Sequence, residues 1–133
     1  MPVTYQIDTA TRRIHTVCSR PLKFAEVVDH FRALKEDPAC TGQLDVLLDV
    51  SDADPLPESR QLEAINTELN AVRAKVEFGL CAIIATRDAM FGMMRMFEVP
   101  ASHYFYFRAT RVFRNAAEAK AWLASKPATG DPA

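Results

Sequence analysis

Glycine is scarce in this chain, with only four residues among 133, at positions 42, 79, 92 and 130. Their spacing makes neither Gly-x-Gly-x-x-Gly nor a Walker loop, so the sequence offers no glycine-built cradle for a nucleotide phosphate. An excess of one charge is also missing. The 16 Lys and Arg nearly cancel the 17 Asp and Glu, which leaves no basic surface to release counterions from nucleic acid or to hold anionic lipid. Nucleic acid is therefore not an expected partner. No run approaches the roughly 18 uninterrupted apolar residues of a membrane helix. The opening Met1-Pro2-Val3-Thr4-Tyr5-Gln6-Ile7-Asp8 has no cationic segment followed by an apolar one. No membrane span is expected, and the expected location is the cytoplasm.

Cysteine and histidine are sparse as well. Cys18, Cys40 and Cys81 are an odd number at wide spacing, and two of them fall in apolar strand candidates, where a thiol packs as a small hydrophobe. His15, His30 and His103 show no spacing that puts two on one helical face, and no Cys-x-x-Cys accompanies them. No metal and no cofactor is expected. Ser51 and Ser59 lack the Gly-x-Ser-x-Gly elbow that strains a nucleophile into exposure, so no catalytic residue is nominated.

With 49% apolar and 25% charged residues, the chain reads as one ordinary globular domain over residues 1–124. A domain of this size buries about two-thirds of its unfolded surface. Residues 125–133, with Pro127, Gly130 and Pro132, read as a frayed tail. Val3, Tyr5 and Ile7 alternate with polar neighbours, as do Ile14, Thr16 and Cys18, which predicts an antiparallel hairpin around Thr9 to Arg12. Phe24, Val27, Val28, Phe31 and Leu34 then fall at helical spacing until Pro38. Leu44 to Val50 is a short aliphatic strand bounded by Gly42 and the Ser51 to Pro57 turn cluster. From Glu58, Leu62, Ile65, Leu69, Val72 and Val76 form one stripe of a long helix.

Gly79 to Ala85 is the next strand. Thr86-Arg87-Asp88 turns the chain, with Asp88 as N-cap of a methionine-rich helix that Pro100 should end or kink. The state of Ala101 to Phe107 stays open, since aromatic runs suit strands while another helical turn fits equally well. Thr110 to Phe113 is a strand. Asn115 caps a last helix with Glu118 three residues on, and Trp122 and Leu123 anchor it. The predicted fold class is α/β, in the order β-β-α-β-α-β-α-β-α. A single mixed, mostly parallel sheet carries helices, and the first strand lies antiparallel at or near an edge.

Two places stand out for function. Asp49, Ser51 and Asp52 lie at the carboxyl end of a predicted parallel strand, where open α/β sheets bind ligands, and Thr86 and Asp88 share that edge. Asp49 and Asp52 could serve a divalent-cation-dependent enzyme or a phosphoacceptor; the other reading is that Asp49 satisfies loop amides and Asp52 makes a turn. The second place is the helix carrying Met90, Met93, Met94 and Met96. Between Ala89 and Phe107 its only formally charged side chains are Arg95 and Glu98, so it is apolar nearly all round. It can serve as core, as a homodimer interface, or as the wall of a pocket for an apolar ligand, with Met90, Met93, Met94, Phe97, Arg95 and Tyr104 as candidate ligand or interface residues. Gly92 would allow a strand or partner helix to approach closely.

Four stretches together carry a family resemblance: Tyr5-Gln6-Ile7-Asp8, Leu44-Asp45-Val46-Leu47-Leu48-Asp49-Val50, Phe91-Gly92-Met93-Met94-Arg95-Met96-Phe97, and the closing run from Arg111 to Leu123. Over roughly residues 3 to 124 the pattern resembles the sporulation stage II AA-like proteins, a group similar to STAS domains and to CRAL-TRIO lipid-transfer domains. The resemblance implies a non-enzymatic STAS-like binding or regulatory module, with a protein partner or an apolar, lipid-like ligand near the methionine helix. A homodimer is the expected assembly. In STAS anti-sigma antagonists a serine in an Asp-Ser-Ser-Gly-like turn is phosphorylated. Here the turn from Asp52 to Ser59 departs from that pattern, and Ser59 is the nearest match by position. A phosphate there would sit at a helix N-terminus, where it is electrostatically favoured, and the competing role for Ser59 is an N-cap.

Overall fold

The computed structural model describes residues 3–54, 59–104 and 107–125, with 59, 62, 66 and 97–104 described by backbone alone. The expected tail beyond residue 125 lies outside the described residues. The order is β1 (Val3–Asp8), β2 (Arg13–Ser19), α1 (Phe24–Glu36), β3 (Gly42–Asp52), α2 (Ser59–Val72), β4 (Val76–Ile84), α3 (Asp88–Tyr104), β5 (Ala109–Phe113) and α4 (Ala116–Ala124). This is the predicted α/β order. The five strands form one sheet in sequence order, β1-β2-β3-β4-β5; β1 is antiparallel to β2, and the remaining pairs are parallel.

Strands that run parallel need crossover helices, and α1, α2 and α3 supply them. The core composition shows where they go. Leu34 of α1 and Ile65 and Leu69 of α2 pack with Ile14, Leu44 and Phe78, and Met90 of α3 packs with Cys18, Cys81 and Ile83. Ala119 and Leu123 of α4 instead pack with Leu47, Ala82, Ile84 and Phe113, the opposite face of the same strands. Three helices thus cover one face and one helix the other.

The strand faces are set by two bulges. Between Leu44↔Phe78 and Val46↔Cys81, β3 spends one residue, Asp45, while β4 spends two, Gly79 and Leu80. The Asp45 carboxylate enters this bulge and accepts from the Leu80 N–H at 2.9 Å. Phe78 and Cys81, three residues apart, therefore both face α1 to α3. A second bulge lies between Val17↔Asp49 and Ser19↔Asp52, where Cys18 opposes Val50 and Ser51. There the Asp49 carboxylate accepts from the Ser51 N–H at 2.9 Å.

Several local expectations shift. Val76 is the first residue of β4 and not the end of the α2 stripe, since the helix closes at Val72 and Arg73 to Lys75 turn the chain. Asp88 is the first helical residue of α3, not its cap; the Arg87 carbonyl already accepts the first bond, from Phe91 N–H at 2.8 Å. Helix α3 runs through Pro100 to Tyr104, so the proline does not end it. One missing N–H removes one bond from a 17-residue helix and leaves the others. The Asn115 cap is as expected, with its side chain accepting from Glu118 N–H at 2.9 Å and donating to the Glu118 carboxylate at 3.1 Å.

A β-carbon added at Gly79 would fall on the Asp45 carboxylate, well inside van der Waals contact. Gly79→Ala should therefore destabilise the fold by about 1–3 kcal/mol through overpacking and loss of the Asp45 to Leu80 bond. Urea unfolding checks this, and an unchanged midpoint would show that the bulge can relax.

Candidate functional site

The three crossover helices do not close flat onto the sheet. Beneath them lies a cavity of about 240 Å³. Its floor comes from alternating strand positions: Ile14, Thr16 and Cys18 of β2, Val46, Leu48 and Val50 of β3, and Phe78, Cys81 and Ile83 of β4. Its roof is Val27, His30, Phe31 and Leu34 of α1, Ile65 and Leu69 of α2, and Met93 and Met94 of α3. The α1 residues stand at the three-and-four spacing of one helical stripe, which aims all of them at the sheet. No Lys, Arg, Asp or Glu lines the cavity among the described residues, and Thr16 and His30 are its only side chains with nitrogen or oxygen atoms.

Burial governs the chemistry of this space. It pushes the Cys18 thiol up to about 11 and the Cys81 thiol to about 12, so both are un-ionised at neutral pH and neither is an activated nucleophile. It pushes the His30 imidazole down to about 4, so the ring is neutral, and its Nδ1 is buried with no hydrogen-bond partner. The ring rests edge-on against Tyr5, with centroids 5.3 Å apart at 66°. The Tyr5 hydroxyl is already spent, donating to Asp37 Oδ2 at 2.8 Å. Burial first, and that bond second, push the phenol up to about 12.

The carboxyl edge of the sheet is organised by arginines. Arg87 donates from Nε to the Ser51 carbonyl at 3.1 Å and from Nη2 to the Ala53 carbonyl at 2.5 Å. Arg20 pairs with Asp52 at 3.0 Å, and Arg114 pairs with Asp88 while its guanidinium lies 4.1 Å from the Phe91 ring centroid. Ser51 Oγ reaches the Ile84 carbonyl at 3.4 Å, and Thr86 is exposed. Among the described residues no group of three or more His, Cys, Asp and Glu is placed to hold a metal ion.

Of the methionine-helix candidates, Met90 is buried in the core and Met94 packs half-buried against it. Met93 is 48% exposed and Met96 81% exposed. Arg95 stands 5.9 Å from the Phe91 ring. Phe97 and Tyr104 lie on α3, but their side chains are outside the described residues, as is that of Ser59 at the start of α2. Gly92 faces open space, and no atom of the described residues lies within 4 Å of an added β-carbon. The sequence reading missed His30 and Thr16. The available signal was that His30 sits on the apolar stripe of α1, between Val27 and Leu34, where a polar residue is out of place. Comparison with protein-family models, with curated proteins and with solved structures found no match to this chain.

The unfolded chain protonates His30 near its ordinary 6.5, whereas the folded chain resists charging it until about 4. Its penalty is therefore absent above the higher value and grows as pH falls through this window, by as much as about 3 kcal/mol. Stability of the wild type minus that of His30→Phe, measured by urea unfolding from pH 7 to pH 4, should fall by that order. A flat difference would show that the imidazole reaches water.

Proposed function

We propose that this chain is a non-enzymatic, STAS-like binding module that holds a small apolar or lipid-like ligand in the cavity beneath α1, α2 and α3. The observation that carries this reading is the cavity wall, which lines about 240 Å³ mainly with aliphatic, aromatic and sulfur-bearing groups and, among the described residues, with no Lys, Arg, Asp or Glu. Native interiors keep few voids larger than a water molecule. An occupant of this space would gain by burying its own apolar surface against the wall. An engineered aliphatic cavity of about 150 Å³ takes benzene, so a ligand of about ten non-hydrogen atoms is in range here. Met93, half-exposed and also on the cavity wall, gives a pliable edge through which such a ligand could enter.

A second reading rests on the outer side of the same helix. Met96 at 81% exposure and Met93 at 48% are the exposed large apolar residues of the described chain. They suit contact with a protein partner or with a second copy of this chain. The alternative of a divalent-cation enzyme or phosphoacceptor using Asp49 and Asp52 has less in its favour, because Asp49 holds the Ser51 amide and Asp52 holds Arg20.

Native mass spectrometry of freshly purified protein is expected to show monomer mass plus a small organic mass. Bare monomer throughout would count against the ligand reading. Dimer mass without ligand would move the function to the α3 surface, and Met96→Glu should then dissociate the dimer without unfolding it. For the cation alternative, melting temperature should not respond to magnesium in either the wild type or Asp49→Asn. A rise of several degrees in the wild type alone would revive it.

A further inference from the structure

The cavity is uneven along its length. Thr16 faces Tyr5 across the β1–β2 pair, and the Tyr5 ring meets His30, so both nitrogen- or oxygen-bearing side chains lie at one end. Met93 and Met94 enter from α3, the helix seated over the Cys81 and Ile83 floor. A phosphate or an ionised carboxylate placed inside would leave water and meet no cationic side chain among the described residues, an unfavourable exchange. His30 Nδ1 has no surface that a ligand could touch, so His30 meets a ligand through the rest of its ring, and a pure hydrocarbon would give that imidazole no polar partner. The neutral imidazole offers one N–H donor and one bare nitrogen acceptor, so it can pair with a hydroxyl or a carbonyl. Tyr5 cannot compete as a donor, because its hydroxyl is committed to Asp37.

We infer that the cavity selects an uncharged amphipathic ligand, its single hydroxyl or carbonyl group held at the Thr16 and His30 end and its hydrocarbon portion against Met93 and Met94. His30 then sets orientation and specificity, and the methionines adapt to the shape of the hydrocarbon. This rests on the reading above that the cavity is a ligand site.

Three probes of nearly one shape separate the possibilities: p-cresol, p-xylene and p-toluate, titrated into the wild type at neutral pH and followed by the imidazole nitrogen resonances of His30 and by binding calorimetry. Both p-cresol and p-xylene should bind and p-toluate should not, and the imidazole nitrogen resonances should move with p-cresol and stay in place with p-xylene. His30→Phe should weaken p-cresol about fivefold to tenfold, the worth of one neutral hydrogen bond, and leave p-xylene unchanged. Thr16→Val, which replaces a hydroxyl by a methyl of the same shape, should act in the same direction. Should His30→Phe fail to fold, the wild-type nitrogen resonances and Thr16→Val decide. If no probe binds, the cavity reading itself falls. If p-xylene and p-cresol bind but affect the imidazole nitrogens alike, or if both variants weaken the two probes equally, the cavity reading stands and the orienting role of His30 falls. Binding of p-toluate on a par with p-cresol overturns the selection against charge.

Discussion

The 2.9 Å bond from the Leu80 N–H to the Asp45 carboxylate decides which residues of the central strand pair face the cavity. In an uninterrupted strand, side chains alternate and a one-residue slip exchanges the two faces. Starting from Phe78, strict alternation would turn Leu80, Ala82 and Ile84 toward α1, α2 and α3. The extra residue at Gly79 and Leu80 reverses this, so that Cys81 and Ile83 floor the cavity while Ala82 and Ile84 pack under α4. Asp45 is itself buried, and a buried carboxylate is tolerated only where it is hydrogen-bonded. Gly79 leaves the room for it, because any β-carbon there would occupy the carboxylate's position.

A second aspartate acts in the same way further along β3. Asp49 occupies the bulge at Val50 and Ser51, which carries the strand from Val50 to Ala53 on the same face. The acidic run at the carboxyl end of β3 therefore shapes the strand before it can do chemistry. Asp52 is paired with Arg20 from the neighbouring loop, and such an exposed pair contributes about 0–1 kcal/mol. Arg87, bonded to the Ser51 and Ala53 carbonyls, and Arg114, paired with Asp88 at the start of α3, hold this end of the sheet together.

Much of the architecture was legible because it is written in local periodicity. The period-two alternation of Val3, Tyr5, Ile7 and of Ile14, Thr16, Cys18 gives the hairpin, and the three-and-four stripes give α1 and α2. The bulges were not legible, because what defines each is a partner on another strand or a carboxylate that fills it. Gly79-Leu80-Cys81 reads as plain strand until Asp45 is placed beside it. Val76 fits a helical stripe and a strand start equally well by spacing, and the turn at Arg73 to Lys75 settles it. The cavity was hidden for a related reason. Each wall is an ordinary apolar stripe, and the distance at which the stripes stop is a property of packing, not of pattern.

The methionine helix shows how one apolar surface divides its work. Met90 points into the core, Met94 and Met93 border the cavity, and Met96 stands in the open, so core, cavity wall and exposed surface fall at neighbouring positions of α3 and need not compete. An unbranched thioether loses little by changing rotamer, which suits a wall that must follow whatever lies behind it. Filling the 240 Å³ behind that wall bears directly on the folding equilibrium. Any molecule bound there stabilises the folded chain in proportion to the logarithm of its concentration over its dissociation constant. Under the proposed reading, the fold's own stability becomes the quantity that reports the ligand, and the packing of α3 is where that report reaches the surface.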